Sequence, residues 1–406
     1  VDPTAALLGT EEGGSFHPSL VASRTRSRGV TLPFAVSDLE ESALVRGLGL
    51  RSPTVFCSLL ALASSLPFLV ALLVSKRVLP VEQAEYLLIF PLAGLATAHV
   101  PSTALLLVDP VTRRRVASEP MRLVLVPALF VAAFLWVFAY LPAPGLAVAL
   151  VAFVMFQAWH FGMQNIGVFA FGRLATRSGA MSRLERSTIM VTALCGVAGA
   201  YWDFRPTFLT PLQLPTPTLE LPGHVAYVVG GVVYAVNIVV AVLHLCVRRE
   251  RFNALTALLY LISIGFYLPI YLLDFRLHSV GSYVVAHGCQ YQVFMYYVAL
   301  GQAPLETRVE PSIARKLSFV VLLTIINVVG YLWVNHPGFL ESVTSNVTSL
   351  VKYTPSAREL VAVGVGIHFG LAVAHFWIDG ALWRLRDPER LAWARSRYAF
   401  LFPVSA

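Results

Sequence analysis

The chain has 406 residues, of which 57% are apolar and 13% charged, with a mean hydropathy of +0.71. An ordinary soluble domain carries about 25% charged residues. The composition excludes a soluble globular enzyme, a disordered tail protein and a secreted disulfide scaffold, and it predicts an all-α, polytopic integral membrane protein. The net charge of +8 does not imply a nucleic-acid partner, because the Arg residues sit in short clusters between apolar runs.

Residues 1–54 hold Gly, Ser, Glu and Arg with little helical periodicity. They are predicted to form a cytosolic N-terminal tail, partly disordered, with a short surface helix near 37–48. The opening Val-Asp-Pro-Thr lacks the basic region and apolar core of a signal peptide. The missing initiator Met points to a trimmed or partial N-terminus. A transmembrane helical domain is predicted over 55–384 and a cytosolic C-terminal tail over 385–406.

Ten apolar runs are long enough to cross a bilayer at about 20 residues per span. They cover 55–75, 86–108, 121–140, 145–171, 188–202, 225–247, 254–273, 280–300, 316–334 and 358–383; the fifth is short. Counted over alternate connections, 24 of the 30 Lys and Arg fall on one side. The positive-inside rule then puts both termini in the cytoplasm of a plasma or inner membrane. Cys57, Cys195, Cys246 and Cys289 lie in or beside apolar runs without a CxxC pair. They read as small packing residues rather than a disulfide framework or zinc site.

Ionisable groups within spans are site candidates, since hydrocarbon makes them costly. Five His lie deep: His99 in span two, His160 in span four, His287 in span eight, and His368 and His375 in span ten. Counted at 1.5 Å per residue from the Arg-rich ends, His99, His160, His287 and His375 fall in one layer roughly 14–21 Å deep. Polar companions recur at i+3 and i+4: Gln164 after His160, Gln290 and Tyr291 after His287, and Asp379 after His375. A lone buried His is more often a packing residue than a ligand. Four at one depth on four helices point to a metal or a metal-containing cofactor. The expected ligands are His99, His160, His287 and His375, with His368 as a fifth ligand or a supporting group. Gln164, Gln290, Tyr291 and Asp379 are expected to orient ligands or move protons, with Asp379 or Gln164 taking the second ring N–H of a ligating His. Imidazole-rich ligation suits iron, copper or zinc.

The segments around these His resemble the Brp/Blh family of membrane carotene-cleaving dioxygenases. His160-Phe161-Gly162-Met163 is similar to that family's His-Phe-Gly-Met segment. His99 takes the place of the His in its first motif, although Val100 follows where the family has Gly. His287 matches the first His of its His-x-x-x-His motif, with Tyr291 at the second position. His375, followed by Asp379, matches its last His. The resemblance covers about 40 residues in four patches; it implies a helical membrane fold and one iron held by His on several spans. It does not extend to retinal production, since Tyr291 departs from the family's ligand set.

The residues thus predict a membrane metalloenzyme, foremost an iron-dependent oxygenase acting on a lipid-soluble, apolar small molecule that enters from the bilayer lipids. Two alternatives stand beside it. One is a haem or other redox-cofactor protein, or a subunit of a larger membrane complex with a redox partner. The other is a proton-coupled transporter with an intramembrane His/Asp relay.

Overall fold

The computed structural model describes residues 51–79, 99–103, 106, 109–208, 216–273, 276–300, 355–385 and 387–402. The tail helix expected near 37–48, the first part of the second span and the ninth span lie outside these residues. The described chain is helical throughout. α1 (Pro53–Ser75) is followed by the short α2 (His99–Ser102) and by α3 (Pro110–Ser118). A π-turn (Met121–Leu125) leads into α4 (Val126–Tyr140), then come α5 (Ala143–Ala175), α6 (Arg183–Phe208) and α7 (Thr216–Val247). α8 (Ala254–Gly265), α9 (Leu268–Leu272), α10 (Arg276–Leu300), α11 (Pro355–Leu382) and α12 (Pro388–Arg397) complete the order.

Three of these segments are long and apolar enough to cross a membrane by length and composition: Pro53–Ser75, Met121–Tyr140 and Leu221–Val247. α4 and α7 expose rows of large apolar side chains, among them Leu129, Trp136, Val232 and Val236. α5, α10 and α11, which bear His160, His287 and His375, are of similar length. Their Gln, Asn, His and Asp residues lower the mean hydropathy.

The runs and the helices differ in places, for local reasons. The fifth run, expected to be short, lies inside the 26-residue α6. The seventh run breaks between α8 and α9 at Gly265-Phe266-Tyr267, just before Pro269, which has no amide proton to give. At the break the carbonyl of Ile264 accepts from Tyr234 Oη at 2.6 Å. In the second run α2 ends at Ser102, just after Pro101, and the described residues beyond it carry i→i+3 bonds: Thr103 N to Val100 O, Leu106 N to Thr103 O, and Asp109 N to Leu106 O.

Close packing relies on small residues. Gly366 and Gly370 let α11 lie on α4, where a Cβ at 370 would fall 2.6 Å from Val131 Cα. Gly162 lets α5 meet α6, where its Cβ would fall 2.3 Å from Ala193 Cβ. Two apolar clusters result. One, around Phe56, Phe171, Phe294 and Tyr398, includes Tyr291; the other, around Phe138, Phe153 and Tyr267, includes Phe161 and Phe376. The His layer falls between them.

Below the His layer, α3 and α12 form a reciprocal clamp. Each begins with Asp-Pro, so the Asp caps the helix and Pro takes the first turn, where its missing N–H costs nothing. Asp109 Oδ2 accepts from Thr112 N at 3.0 Å and Thr112 Oγ1 at 2.9 Å. Its Oδ1 accepts from Arg397 Nη2 of α12 at 2.6 Å. Asp387 in turn pairs with Arg115 of α3. Each capping Asp is therefore held by an Arg of the other helix. The His99–Asp109 segment is tied to this clamp at one end and to the His layer at the other.

Candidate metal centre

The structure gathers His99, His160, His287 and His375 from four separate segments. Ring centroids lie 4.8 Å apart for His99–His287 and for His99–His375, 5.2 Å for His160–His287 and 6.1 Å for His160–His375. Among the described residues two donor sets each bring their ligand atoms within 4.8 Å of one another: His99, His287 and His375, and His160, His375 and Asp379. This buried His/Asp cluster is able to coordinate a metal ion. His368 falls outside both sets. It shares a face with His375, but seven residues separate them, roughly 10 Å along the axis, and it is exposed with its ring against Phe369.

His375 joins the two sets, and with Asp379 taken as the ionised carboxylate, hydrogen-bond accounting gives its tautomer. Tyr291 Oη donates its one proton to Asp379 Oδ1 at 2.9 Å. The 3.0 Å bond between Thr103 Oγ1 and Tyr291 Oη is then donated by Thr103. With that proton spent, the 2.6 Å bond between Thr103 Oγ1 and His375 Nδ1 must be donated by the ring. His375 therefore carries its proton on Nδ1 and a lone pair on Nε2. That lone pair faces Asp379 Oδ2 at 3.5 Å with no hydrogen-bond partner. His375 belongs to both donor sets, and they are read as one centre.

Other imidazole nitrogens repeat the pattern. His160 Nε2 and both ring nitrogens of His287 are buried without a partner. A buried polar atom left unpaired costs about 1–3 kcal/mol. Several converging on one point, opposite a carboxylate, are what a cation would satisfy. The donor set of four imidazoles and a carboxylate suits a divalent first-row transition metal.

Two phenylalanines hold the imidazoles at their faces. Phe161 stacks on His287 at 3.9 Å and 28°, and Phe376 stacks on His160 at 4.1 Å and 25°. Each Phe directly follows a clustered His, so each His-Phe pair supplies a donor and a wall for a donor on another helix. Tyr267 Oη donates to the carbonyl of Ala158, two residues before His160.

The polar companions take places other than those expected. In that protonation state Thr103 accepts the second N–H of His375, the place expected for Asp379 or Gln164. Asp379 lies on the lone-pair side of His375. Gln164 Nε2 donates to the backbone carbonyl of His287 at 3.2 Å and to Gln290 Oε1 at 2.9 Å. Gln290 Nε2 donates to Ser64 Oγ at 2.8 Å and Asn165 Oδ1 at 3.1 Å. The two Gln thus brace α1, α5 and α10 beside the cluster rather than touch an imidazole. Cys289, next to His287, is in neither donor set. Thr103, Ser64 and the stacking Phe rings were not singled out from the sequence. The repeated His-Phe dipeptide was the one signal available.

Set beside protein-family models, curated proteins and solved structures, the chain matches none.

Proposed function

We propose that the chain is a polytopic membrane metalloenzyme, an iron-dependent oxygenase acting on a lipid-soluble substrate. The observation that carries this reading is the unpartnered Nε2 lone pair of His375 facing Asp379 across 3.5 Å, beside the unpartnered nitrogens of His160 and His287. A proton relay accounts less well for it. The Nδ1 proton of His375 points along the hydroxyl chain, and His287 has no proton partner at either nitrogen. The haem alternative asks for imidazoles on opposite faces of a flat macrocycle. Here the rings of His99, His287 and His375 pack edge to face at 4.8 Å.

His99, His160, His287 and His375 would hold the metal, with Asp379 beside them. Iron so held would supply redox chemistry toward dioxygen; copper and zinc are the alternatives. Thr103 fixes the tautomer of His375, and Tyr291 holds Asp379 Oδ1. Phe161 and Phe376 exclude water and fix two ring planes. The ten-span topology with cytoplasmic termini and the kinship to the Brp/Blh family belong to the same proposal. They rest on the 24-to-6 charge split and on the His-Phe-Gly-Met segment. The experiment is His287→Ala in detergent-purified protein. Metal should be lost while helix content by circular dichroism is unchanged; full metal retention would remove His287 from the site.

A further inference from the structure

The inference concerns how a substrate reaches this site and which polar group it carries, and it rests on the proposed function. α5 and α11 touch at two levels. Above, His160 stacks on Phe376 at 4.1 Å, and Phe156 meets Phe376 at 5.8 Å. Below, Phe171 meets Trp383 at 6.3 Å. Between these levels the facing positions are Gln164 and Gly167 on α5 and Gly380 on α11, all at helical spacing from the contacts. Gly167 and Gly380 are exposed, and a Cβ at either would meet nothing within 4 Å. His160 and Gln164 are half-buried, whereas His287 and His375 are sealed. The two helices therefore leave a window that opens onto the His160 side of the cluster.

Beside the His160 imidazole, Gln164 is the polar side chain at this window. The amide orientation is set by chemistry, because the backbone carbonyl of His287 can only accept, so the NH2 must face it. The same NH2 serves Gln290 Oε1. Gln164 Oε1 is left as an accessible acceptor without a protein donor. We infer that the window is the substrate entrance and that Gln164 Oε1 receives a hydroxyl or amine donor of an otherwise apolar molecule. The substrate class is then a long-chain or polyene alcohol or amine, rather than a pure hydrocarbon.

The test uses the full chain in lipid nanodiscs, with 1-hexadecanol and its methyl ether at equal mole fraction. The ether keeps the chain and lacks the donor. Binding is read as the shift in unfolding temperature, and metal content is measured on the same samples. The wild type should bind the alcohol roughly tenfold tighter than the ether, the worth of one hydrogen bond. Gln164→Met should bind both alike. Gly167→Leu, which enters open space and spares every polar contact, should bind neither. Equal affinity for both probes in the wild type, no binding of either, discrimination retained in Gln164→Met, or undiminished binding in Gly167→Leu would each overturn the inference. Protein that discriminates the probes yet holds no metal would instead sink only the metalloenzyme reading.

Discussion

Asp379 Oδ2 stands 3.5 Å from His375 Nε2, on the edge of the imidazole away from Thr103. Two acceptors facing each other in an apolar interior repel, and a cation relieves that repulsion. The hydroxyl chain from His375 through Thr103 and Tyr291 to Asp379 makes this a consequence of proton count rather than of proximity alone.

Thr103→Val keeps shape and removes the acceptor for the Nδ1 proton. Outer partners of metal-bound His are typically worth 10–100-fold in affinity. Metal affinity should fall by about that factor in Thr103→Val and be largely retained in Thr103→Ser. Competition with a chelator of known affinity measures it.

Arg397→Ala strands the buried carboxylate of Asp109 without its charge partner, 2.6 Å away in the native clamp. Breaking a buried pair costs about 3–5 kcal/mol, whereas replacing both partners costs far less. Thermal unfolding should show a large loss in Arg397→Ala and substantial recovery in Asp109→Asn/Arg397→Met.

The hydrogen bond from Arg115 holds the Asp387 carboxyl below its usual range. A depressed carboxyl contributes stability that is present above its unfolded value, near 3.9, and is lost as pH falls through its lower folded value. Asp387→Asn preserves an N-cap of similar quality. The stability gap between wild type and Asp387→Asn should be constant from pH 5 to 8 and close below about pH 4. A gap that did not narrow as the pH falls below 4 would contradict the assignment.

Gly370→Val should separate α11 from α4, because the added Cβ meets the Val131 backbone rather than a flexible side-chain end. Overpacking of this kind costs about 1–3 kcal/mol or more. Thermal unfolding should show the loss, while Gly167→Ala, facing open space, serves as the neutral control.

Much of the His layer was legible because helix rise is regular: His160, His287 and His375 sit on long helices, so counting residues from the Arg-rich ends gives their depth. His99 shows the limit of that method. Its own helix, His99–Ser102, is four residues long, and the described residues beyond it tie it to Thr103 and to the Asp109 clamp. Thr103 itself was invisible, because one hydroxyl in a run carries no periodic signal and its partner lies 272 positions away. Asp379 is the expected neighbour of His375, and it meets the ring at Nε2. Spacing of i+4 brings two residues together but does not say which edge of an imidazole is met. His368 erred the other way: a shared face at i+7 is not a shared site when two helical turns separate the residues.

The most direct test of the account is elemental analysis with an absorption spectrum on wild-type protein purified from membranes without chelator. About one iron per chain, without a Soret band, is the expected result, since His375 is shared by both donor sets. A Soret band would move the site to haem, and protein free of any transition metal would contradict the central claim.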